Sequence, residues 1–433
     1  MPDALSKAEQ YLRERARLGM KLGLEAMRAL CAELGDPQRA APALLVAGTN
    51  GKGSVVAYAD AVLRACGLRV GRYTSPHLVR VHERITVEGA DIGDRDFEEV
   101  VGAVRDAAQV LVERGVLADH PTYFETLTAA AFLHFRAQAV QVAVLEVGLG
   151  GRLDATNVSE PAVSAIVTVD RDHEDHLGTT LADIAREKAG VLRPGRVTVL
   201  GALSAEARAA VEAQARAVGA RLLDAGQGAS MSPRGDDLAV RTPRRSYDGL
   251  RALPGLHQRD NLLVALRLLE AAEDEGVVAA LDPAAVARGL ASVRWPARLQ
   301  EVPGRPALLL DGAHNPAGAR ALARHLRGRE PAVLLFGAMS DKDLAGLATA
   351  LFPVAREIVL TRAPDERGAE PDQIAARAGP LATRAHRERD PGRALQLARI
   401  LAGPAGTVVV AGSLYLVGDV LRRLEASRPG SGG

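Results

Sequence analysis

Residues 48–54 read Gly48-Thr49-Asn50-Gly51-Lys52-Gly53-Ser54. They follow an apolar run, Ala43–Ala47, and lead into Ser54–Cys66, where Val55, Val56, Ala59, Val62, Leu63 and Cys66 recur at helical spacing. A strand, a glycine loop and a helix in that order point to an α/β domain built on a parallel sheet. The glycines let the backbone approach an anion, and amides at a helix start, with the positive end of its dipole, hold phosphates. Lys52 would reach the β- and γ-phosphates of a triphosphate, and Ser54 would touch a magnesium ion. The loop departs from the Walker A pattern: its leading glycine is missing, and Gly53 stands where Ser or Thr is usual. An ordinary glycine-rich turn is the plain alternative.

The lysine is itself informative. The chain has five lysines (Lys7, Lys21, Lys52, Lys188 and Lys342) against 49 arginines. Where a generic cation suffices, this sequence uses arginine. Retained lysines suggest a need for a compact ammonium or a deprotonable amine.

The alternation of short apolar runs and helix-period segments continues along the chain. Arg69–Tyr73, Arg84–Glu88, Val142–Val147, Val163–Val169 and Val197–Leu200 read as strands; Leu127–Phe135, Ala182–Ala189 and Asn261–Ala272 read as helices. Residues 225–250 read as a loop or irregular β segment. A break near Trp295-Pro296 divides the chain into 1–295 and 296–433. A second α/β series follows it, with strands Ala307–Leu310, Ala332–Phe336, Glu357–Leu360 and Thr407–Val410 and helices Ala317–Leu326 and Gly418–Leu424. The tail Arg428–Gly433 reads as frayed.

A chain of 433 residues with 47% apolar and 25% charged residues is an ordinary globular protein of two or three domains. A net charge of +1 argues against a nucleic-acid or membrane-surface partner held by bulk charge. Cys31 and Cys66 make no disulfide framework and are expected to be buried thiols. Met1–Gly19 has no apolar core of a secretory signal, and no run approaches a membrane span of ~18 apolar residues. The expectation is a cytoplasmic protein.

Further motifs stand at strand ends, the ligand-binding edge of a parallel sheet. Glu146 ends a strand and opens a glycine loop, Gly148-Leu149-Gly150-Gly151-Arg152-Leu153-Asp154, where it would ligate magnesium directly or through water. Asp170-Arg171-Asp172-His173-Glu174-Asp175-His176 follows another strand; it is a site, a surface charge cluster or a zinc motif. Lys188 lies at a helix C-terminus, where a cation also serves terminal carbonyls. Asp311 and His314 would face one sheet edge in the second half. Ser340-Asp341-Lys342-Asp343 reads equally as a solvated cap.

Taken in order, GTNGKGS (48–54), TSPHL (74–78), ERI (83–85), TYFE (122–125), LEVGLGGRLDATN (145–157), DRDHEDHLG (170–178), EKAG (187–190), PGLHQRDN (254–261), WPARL (295–299), DGAHNP (311–316) and GSLYL (412–416) resemble the folylpolyglutamate synthase/dihydrofolate synthase family of Mur-ligase-like amide ligases. The resemblance implies an N-terminal P-loop ATPase and folate- or pteroate-binding domain, and a smaller Rossmann-like glutamate ligase domain, with the active site in the cleft between them. ATP would phosphorylate a folate or pteroate carboxylate, and the amine of glutamate would attack the acyl phosphate. The chain would then serve folate biosynthesis and retention, probing dihydropteroate, tetrahydrofolyl-(poly)glutamate or both, as a monomer with small-molecule substrates.

The resemblance also implies roles. Two magnesium ions are implied, one on Ser75, Glu146 and His173, the other near Ser54. Lys188 matches a lysine often carbamylated in the family, a modification that arginine cannot undergo. ATP contacts map to Gly51, Lys52, Gly53, Ser54, Asn261, Arg298 and Asp311. His314 and Ser413 map to glutamate or phosphate handling. Thr122, Tyr123, Phe124 and Glu125, with Leu153, Asp154 and Ala155, map to the pterin side. Ala297 stands where a glycine is common in WPARL. The rival readings are another Mur-type ligase (peptidoglycan or cyanophycin), a zinc hydrolase on His173, Asp175 and His176, and a nucleotide-binding regulator without turnover.

Overall fold

The computed structural model describes residues 6–16, 23–329 and 332–426. The tail Arg428–Gly433 lies outside the described residues. The chain forms two compact units: Met1–His77, His82–Ala252 and Asp260–Val293 make the first, and Leu78–Val81, Leu253–Arg259 and Arg294–Gly433 the second.

The first unit is built on strands β1 (Ala43–Ala47), β2 (Val70–Tyr73), β3 (Ile85–Val87), β4 (Ala90–Asp91), β5 (Val142–Glu146), β6 (Val163–Ile166), β7 (Val197–Leu200) and β8 (Arg221–Asp224). They form one sheet in the order β4-β3-β2-β5-β1-β6-β7-β8. Only the β2–β3 and β3–β4 pairings are antiparallel. Every residue of β1, β5 and β6 is buried. That continuous burial is why they read as unbroken apolar runs rather than alternating ones. The chain starts at β1, runs to one side through β2 and β5, then crosses to β6, so the strand order reverses around β1. The crevice beyond such a reversal is where open α/β sheets bind ligands.

Residues 225–250 form the irregular β segment that the sequence allows rather than a loop. Strands β9 (Ser230–Arg234), β10 (Asp237–Arg241) and β11 (Ser246–Leu250) form an antiparallel sheet in the order β11-β10-β9, with a register shift between Leu238 and Val240. The helix Asp94–Glu113 has no counterpart among the elements read from sequence. Cys31 is buried as expected. Cys66 is only half-buried, because it is the C-cap of the Lys52–Ala65 helix and faces outward there.

In the second unit β12 (Gln300–Val302), β13 (Ala307–Leu310), β14 (Ala332–Phe336), β15 (Ala355–Leu360), β16 (His386–Arg387) and β17 (Thr407–Ala411) form a sheet ordered β12-β13-β17-β14-β15-β16. All its pairings are parallel except β12–β13. Alternate residues feed two cores. Leu309, Leu334, Phe336 and Val409 pack against Leu322, Leu347 and Ile374 on one face. Leu308, Leu310, Val333, Leu335, Val408 and Val410 pack against Leu395, Val417 and Val420 on the other. Both units are α/β with mainly parallel sheets, as the sequence predicts.

The helix that carries the glycine loop, Lys52–Ala65, is held by a very close neighbour. The helix Pro283–Ser292 starts with Asp282 accepting the Ala284 and Ala285 N–H groups and with Pro283 in its first turn. It brings Gly289 so near that an added Cβ would lie 2.7 Å from Ala61 O and from Val62 Cα. Gly289→Ala gains about 0.5–1 kcal/mol of helix propensity but overpacks a backbone contact, at about 1–3 kcal/mol. The expected outcome is a net loss of stability, read as a lowered Tm in thermal unfolding; an unchanged or raised Tm would show that the two helices separate freely.

Candidate active site

The glycine loop follows β1 and is sewn to the segment after β6. Thr49 N–H donates to Thr168 O (2.9 Å), Thr49 Oγ1 donates to Asp170 O (3.1 Å) and accepts from Asp170 N–H (3.0 Å). Asn50 N–H donates to Thr168 Oγ1 (2.9 Å), and that hydroxyl donates to Asn50 O (3.1 Å). Gly51, at φ 83°, is the N-cap of the Lys52–Ala65 helix. A side chain there would be strained, and its Cβ would also collide with Asn261 Oδ1. Gly51 and the buried Asn261 are thus neighbours, although more than two hundred positions separate them. Gly53 and Ser54 are buried in the first helical turn. Lys52 Nζ donates to Gly48 O (3.0 Å), so the ammonium lies over its own loop.

Glu146 ends β5, beside β1 in the sheet, and Val46 pairs with it. Its buried carboxylate accepts from Ser75 N–H (3.1 Å), which places Ser75 and Glu146 together at the strand edge. The glycine loop after Glu146 is shaped by Asp154. That carboxylate accepts from Leu149 N–H (2.9 Å), Thr156 N–H (3.0 Å) and Thr156 Oγ1–H (2.5 Å). Burial pushes its pKa up while these donors pull it down. Ala155 is buried and Leu153 half-buried beside it.

Lys188 ends the helix Leu181–Lys188 and is only 3% exposed. Burial, and then the nearby Lys52 ammonium, lower its pKa from 10.5 to about 7; Asp172, Asp154 and Asp170 push it back up. The three strand-end segments therefore converge electrostatically on this one amine. Lys188 is thus a buried helix-end cation rather than a solvated one.

Of the Asp170–His176 cluster, the Asp172 carboxylate is largely buried, His173 is half-buried, and Glu174, Asp175 and His176 are exposed. His173 adopts φ 52° and its N–H donates to Asp172 Oδ1 (3.0 Å). Among the described residues no group of three or more His, Cys, Asp or Glu side chains gathers to hold a metal, so the zinc reading of His173, Asp175 and His176 has no support.

Thr122 and Glu125 form a capping box at the start of the Tyr123–Ala137 helix. Thr122 Oγ1 accepts from Glu125 N–H (3.3 Å), and Glu125 Oε2 accepts from Thr122 N–H (2.8 Å) and Thr122 Oγ1–H (2.7 Å). Their polar groups are spent on the helix start. Tyr123 and Phe124 stay half-buried. The Arg84 guanidinium lies 5.2 Å from the Tyr123 ring centroid. Phe124 packs 5.9 Å from the Tyr73 ring and against Gly148, where a Cβ would strike it. An aromatic pair thus borders the Gly148 loop.

In the second unit Asp311 follows β13. Its buried carboxylate accepts from Leu299 N–H (2.9 Å) and Ala313 N–H (2.9 Å); burial raises its pKa and Arg298 opposes that. His314 Nδ1–H donates to Gly312 O (2.8 Å), and the buried Ser413 after β17 accepts from Tyr415 N–H (3.1 Å). Gly412 N–H donates to Ala313 O (3.0 Å), which ties the two strand-end loops together. His257, unread from the sequence, belongs to this group: burial and Arg298 bring its pKa down to about 4.

The chain matches the Mur ligase middle domain over residues 46–269 and the Mur ligase glutamate ligase domain over residues 297–414. It is 32% identical to dihydrofolate synthase/folylpolyglutamate synthase of Bacillus subtilis, over 98% of this chain and 99% of that one. The chain belongs to the folylpolyglutamate synthase/dihydrofolate synthase family. Its fold superposes on Escherichia coli FolC in complex with DHPP and ADP, at TM-score 0.87 and 30% identity, covering 98% of this chain and 99% of that one. A bifunctional folylpolyglutamate synthase/dihydrofolate synthase with Mn, AMPPNP and L-glutamate bound gives TM-score 0.85 and 32% identity, covering 98% and 99%.

The one departure from the family pattern has a physical reading. Ala297 has φ 58°, where glycine is at ease and an L-residue costs about 1–2 kcal/mol. Its methyl is fully buried in the second core, which returns about 0.8 kcal/mol, and alanine also limits the unfolded chain by about 0.4–1 kcal/mol. These offset each other. Ala297→Gly is expected to leave Tm nearly unchanged; a large rise would mean that the strain is unrelieved, and a large fall that the methyl is essential to the core.

Proposed function

We propose that this chain is an ATP-dependent ligase that joins L-glutamate to dihydropteroate and to folyl-(poly)glutamates. The observation that carries the reading is the glycine loop of Lys52, bonded to the Thr168–Asp170 segment and lying beside Glu146 at the same strand ends. The substrate carboxylate attacks the γ-phosphorus of ATP, ADP leaves, and an acyl phosphate remains. The glutamate amine then attacks the acyl carbon, loses a proton, and phosphate departs to leave the amide. Carboxylate and triphosphate repel, so the transfer needs cations at the transferring oxygens.

Lys52 and the amides of Gly51, Gly53 and Ser54 would hold the phosphates. Asn261, Arg298 and Asp311 would hold the rest of the nucleotide. Ser75, Glu146 and His173 offer a hydroxyl, a carboxylate and an imidazole, and Ser75 and Glu146 lie side by side. That oxygen-rich donor set fits magnesium, as does Ser54 for a second ion. Bound there, magnesium supplies charge neutralisation at the phosphoryl oxygens. His314 and Ser413 are assigned to glutamate or leaving phosphate. Tyr123 and Phe124 are assigned to stacking on the pterin, with Leu153 and Ala155 at its wall; Thr122, Glu125 and Asp154 shape that wall through their hydrogen bonds.

Lys188 is assigned a carbamate. Only a neutral amine reacts with CO₂, and a pKa of about 7 leaves a large neutral fraction at neutral pH. We place the protein in the cytoplasm as a monomer acting on small molecules, without nucleic-acid or membrane partners. No helix among the described residues is long and apolar enough to cross a membrane. The deciding assay is ADP release from ATP and L-glutamate, run separately with dihydropteroate and with tetrahydrofolate. Release with neither substrate overturns the reading, and release with one alone narrows it.

Two sets of variants test the roles. Glu146→Gln is expected to keep the fold and lose turnover by about 10²-fold or more; near-normal ligation would remove Glu146 from the metal site. Lys188→Ala is expected to lose most activity and to recover part of it with added short carboxylates, and full activity in Lys188→Arg would end the carbamate assignment. The buried amine also has a stability signature. Between about pH 7 and 10.5 the unfolded chain binds more protons at Lys188 than the folded chain, so stability rises with pH across that window. In CO₂-depleted buffer, Lys188→Met is therefore expected to melt higher than the parent at and below pH 7, with the gap closing towards pH 10.5.

A further inference from the structure

Lys188 is set in place by a contact that none of the assigned roles includes. The segments 150–157 and 187–193 meet backbone to backbone. A Cβ on Gly190 would fall on Arg152 Cα, and one on Gly151 would lie 2.8 Å from Lys188 O and 3.0 Å from Glu187 O. Arg152 N–H donates to Glu187 O (2.9 Å) across the junction. No side chain separates the two, so something must hold them in register.

Two residues do. Arg193 is partly buried and its guanidinium reaches both segments. Nη1 donates to Gly190 O (3.1 Å) and Leu192 O (3.0 Å), and Nη2 donates to Asn157 O (2.9 Å) and Asn157 Oδ1 (2.6 Å). Asn157 Nδ2 in turn donates to Arg152 O (3.1 Å) and Gly190 O (3.0 Å). Gly190 O, two residues beyond Lys188, thus accepts from both. These acceptors are all neutral carbonyl oxygens, and burial lowers the guanidinium's pKa. A surface arginine gains nothing from such a setting. A rigid fork with several donors can tie two backbones at fixed spacing; a lysine ammonium carries its three donors on one nitrogen and cannot reach both segments at once.

We propose that Arg193, through Asn157, is a positioning residue that fixes the Lys188 segment against the Gly148–Asn157 loop and so sets the placement of the Lys188 amine relative to Glu146 and Lys52. The proposal rests on the reading of Lys188 as part of the reactive centre.

The test is ligase kinetics of Arg193→Lys and Arg193→Ala, each normalised to the fraction of sites that bind nucleotide, with Lys188→Ala run in parallel. Loss of an outer residue that orients a reactive group costs about 10–100-fold. Arg193→Lys is expected to lower kcat by at least about tenfold with little change in KM for ATP. Arg193→Ala is expected to fall further and to regain part of kcat when free guanidinium is added. A purely structural role predicts instead a lower Tm and fewer competent sites, with normal turnover per competent site and no guanidinium rescue; that result overturns the proposal. Where neither arginine variant folds, Asn157→Asp serves, because it keeps the acceptor for Arg193 and loses the donors to Arg152 O and Gly190 O. A normal kcat there overturns the proposal equally. Full activity in Lys188→Ala would sink the underlying reading rather than the positioning role, whereas an inactive Lys188→Ala beside a fully active Arg193→Lys would sink the positioning role alone.

Discussion

The close backbone contact at Gly151 and Gly190 is the constraint on which the rest of the first unit's site depends. Without room for a Cβ on either side, the Lys188 helix end is pressed onto the loop that follows Glu146. The lysine is then driven into the interior, 3% exposed, against a second cation and three carboxylates. Burying a charge is unfavourable, and the protein answers by lowering the pKa of the amine rather than by moving it out. The depressed pKa is thus a consequence of chain geometry, and it supplies the neutral amine that a carbamate requires.

Much of this was legible in the sequence because the sheet is parallel and covered on both faces. β1, β7, β13 and β14 were read residue for residue, since complete or nearly complete burial demands an unbroken apolar run. The strand-end motifs at Lys52, Glu146, Asp172 and Asp311 followed from the same logic, whereas Ser413 came from the family resemblance alone. The helix Asp94–Glu113 went unread although Phe97, Val101, Val104, Ala108 and Leu111 recur at helical spacing along its buried face. The stretch 225–250 was legible only as a loop or irregular β segment, because its few apolar positions, Leu238, Val240, Tyr247 and Leu250, sit among Gly, Asp, Arg and Ser, with a tight turn at Gly235.

Contacts between distant positions left no local signal at all. Gly51 against Asn261, Thr49 against Asp170, and Arg193 against Asn157 have no period or spacing to read. Thr122 and Glu125 are the opposite case. A Thr three residues before a Glu at a helix start is the signature of a capping box, and the side chains are spent there. Resemblance to a family points at the segment; the hydrogen bonds show that Thr122 and Glu125 are bonded to each other at the helix start.

The Lys52 ammonium bonded to the Gly48 carbonyl gives the phosphate loop an internal competitor. Any anion that enters must exchange that contact for its own, so affinity is a difference between two cation–oxygen interactions rather than the strength of one. A carbonyl is a weak rival to a doubly charged terminal phosphate and a serious rival to a weakly charged group. A loop so arranged favours groups of high charge density over weakly charged ones before any base or sugar is recognised.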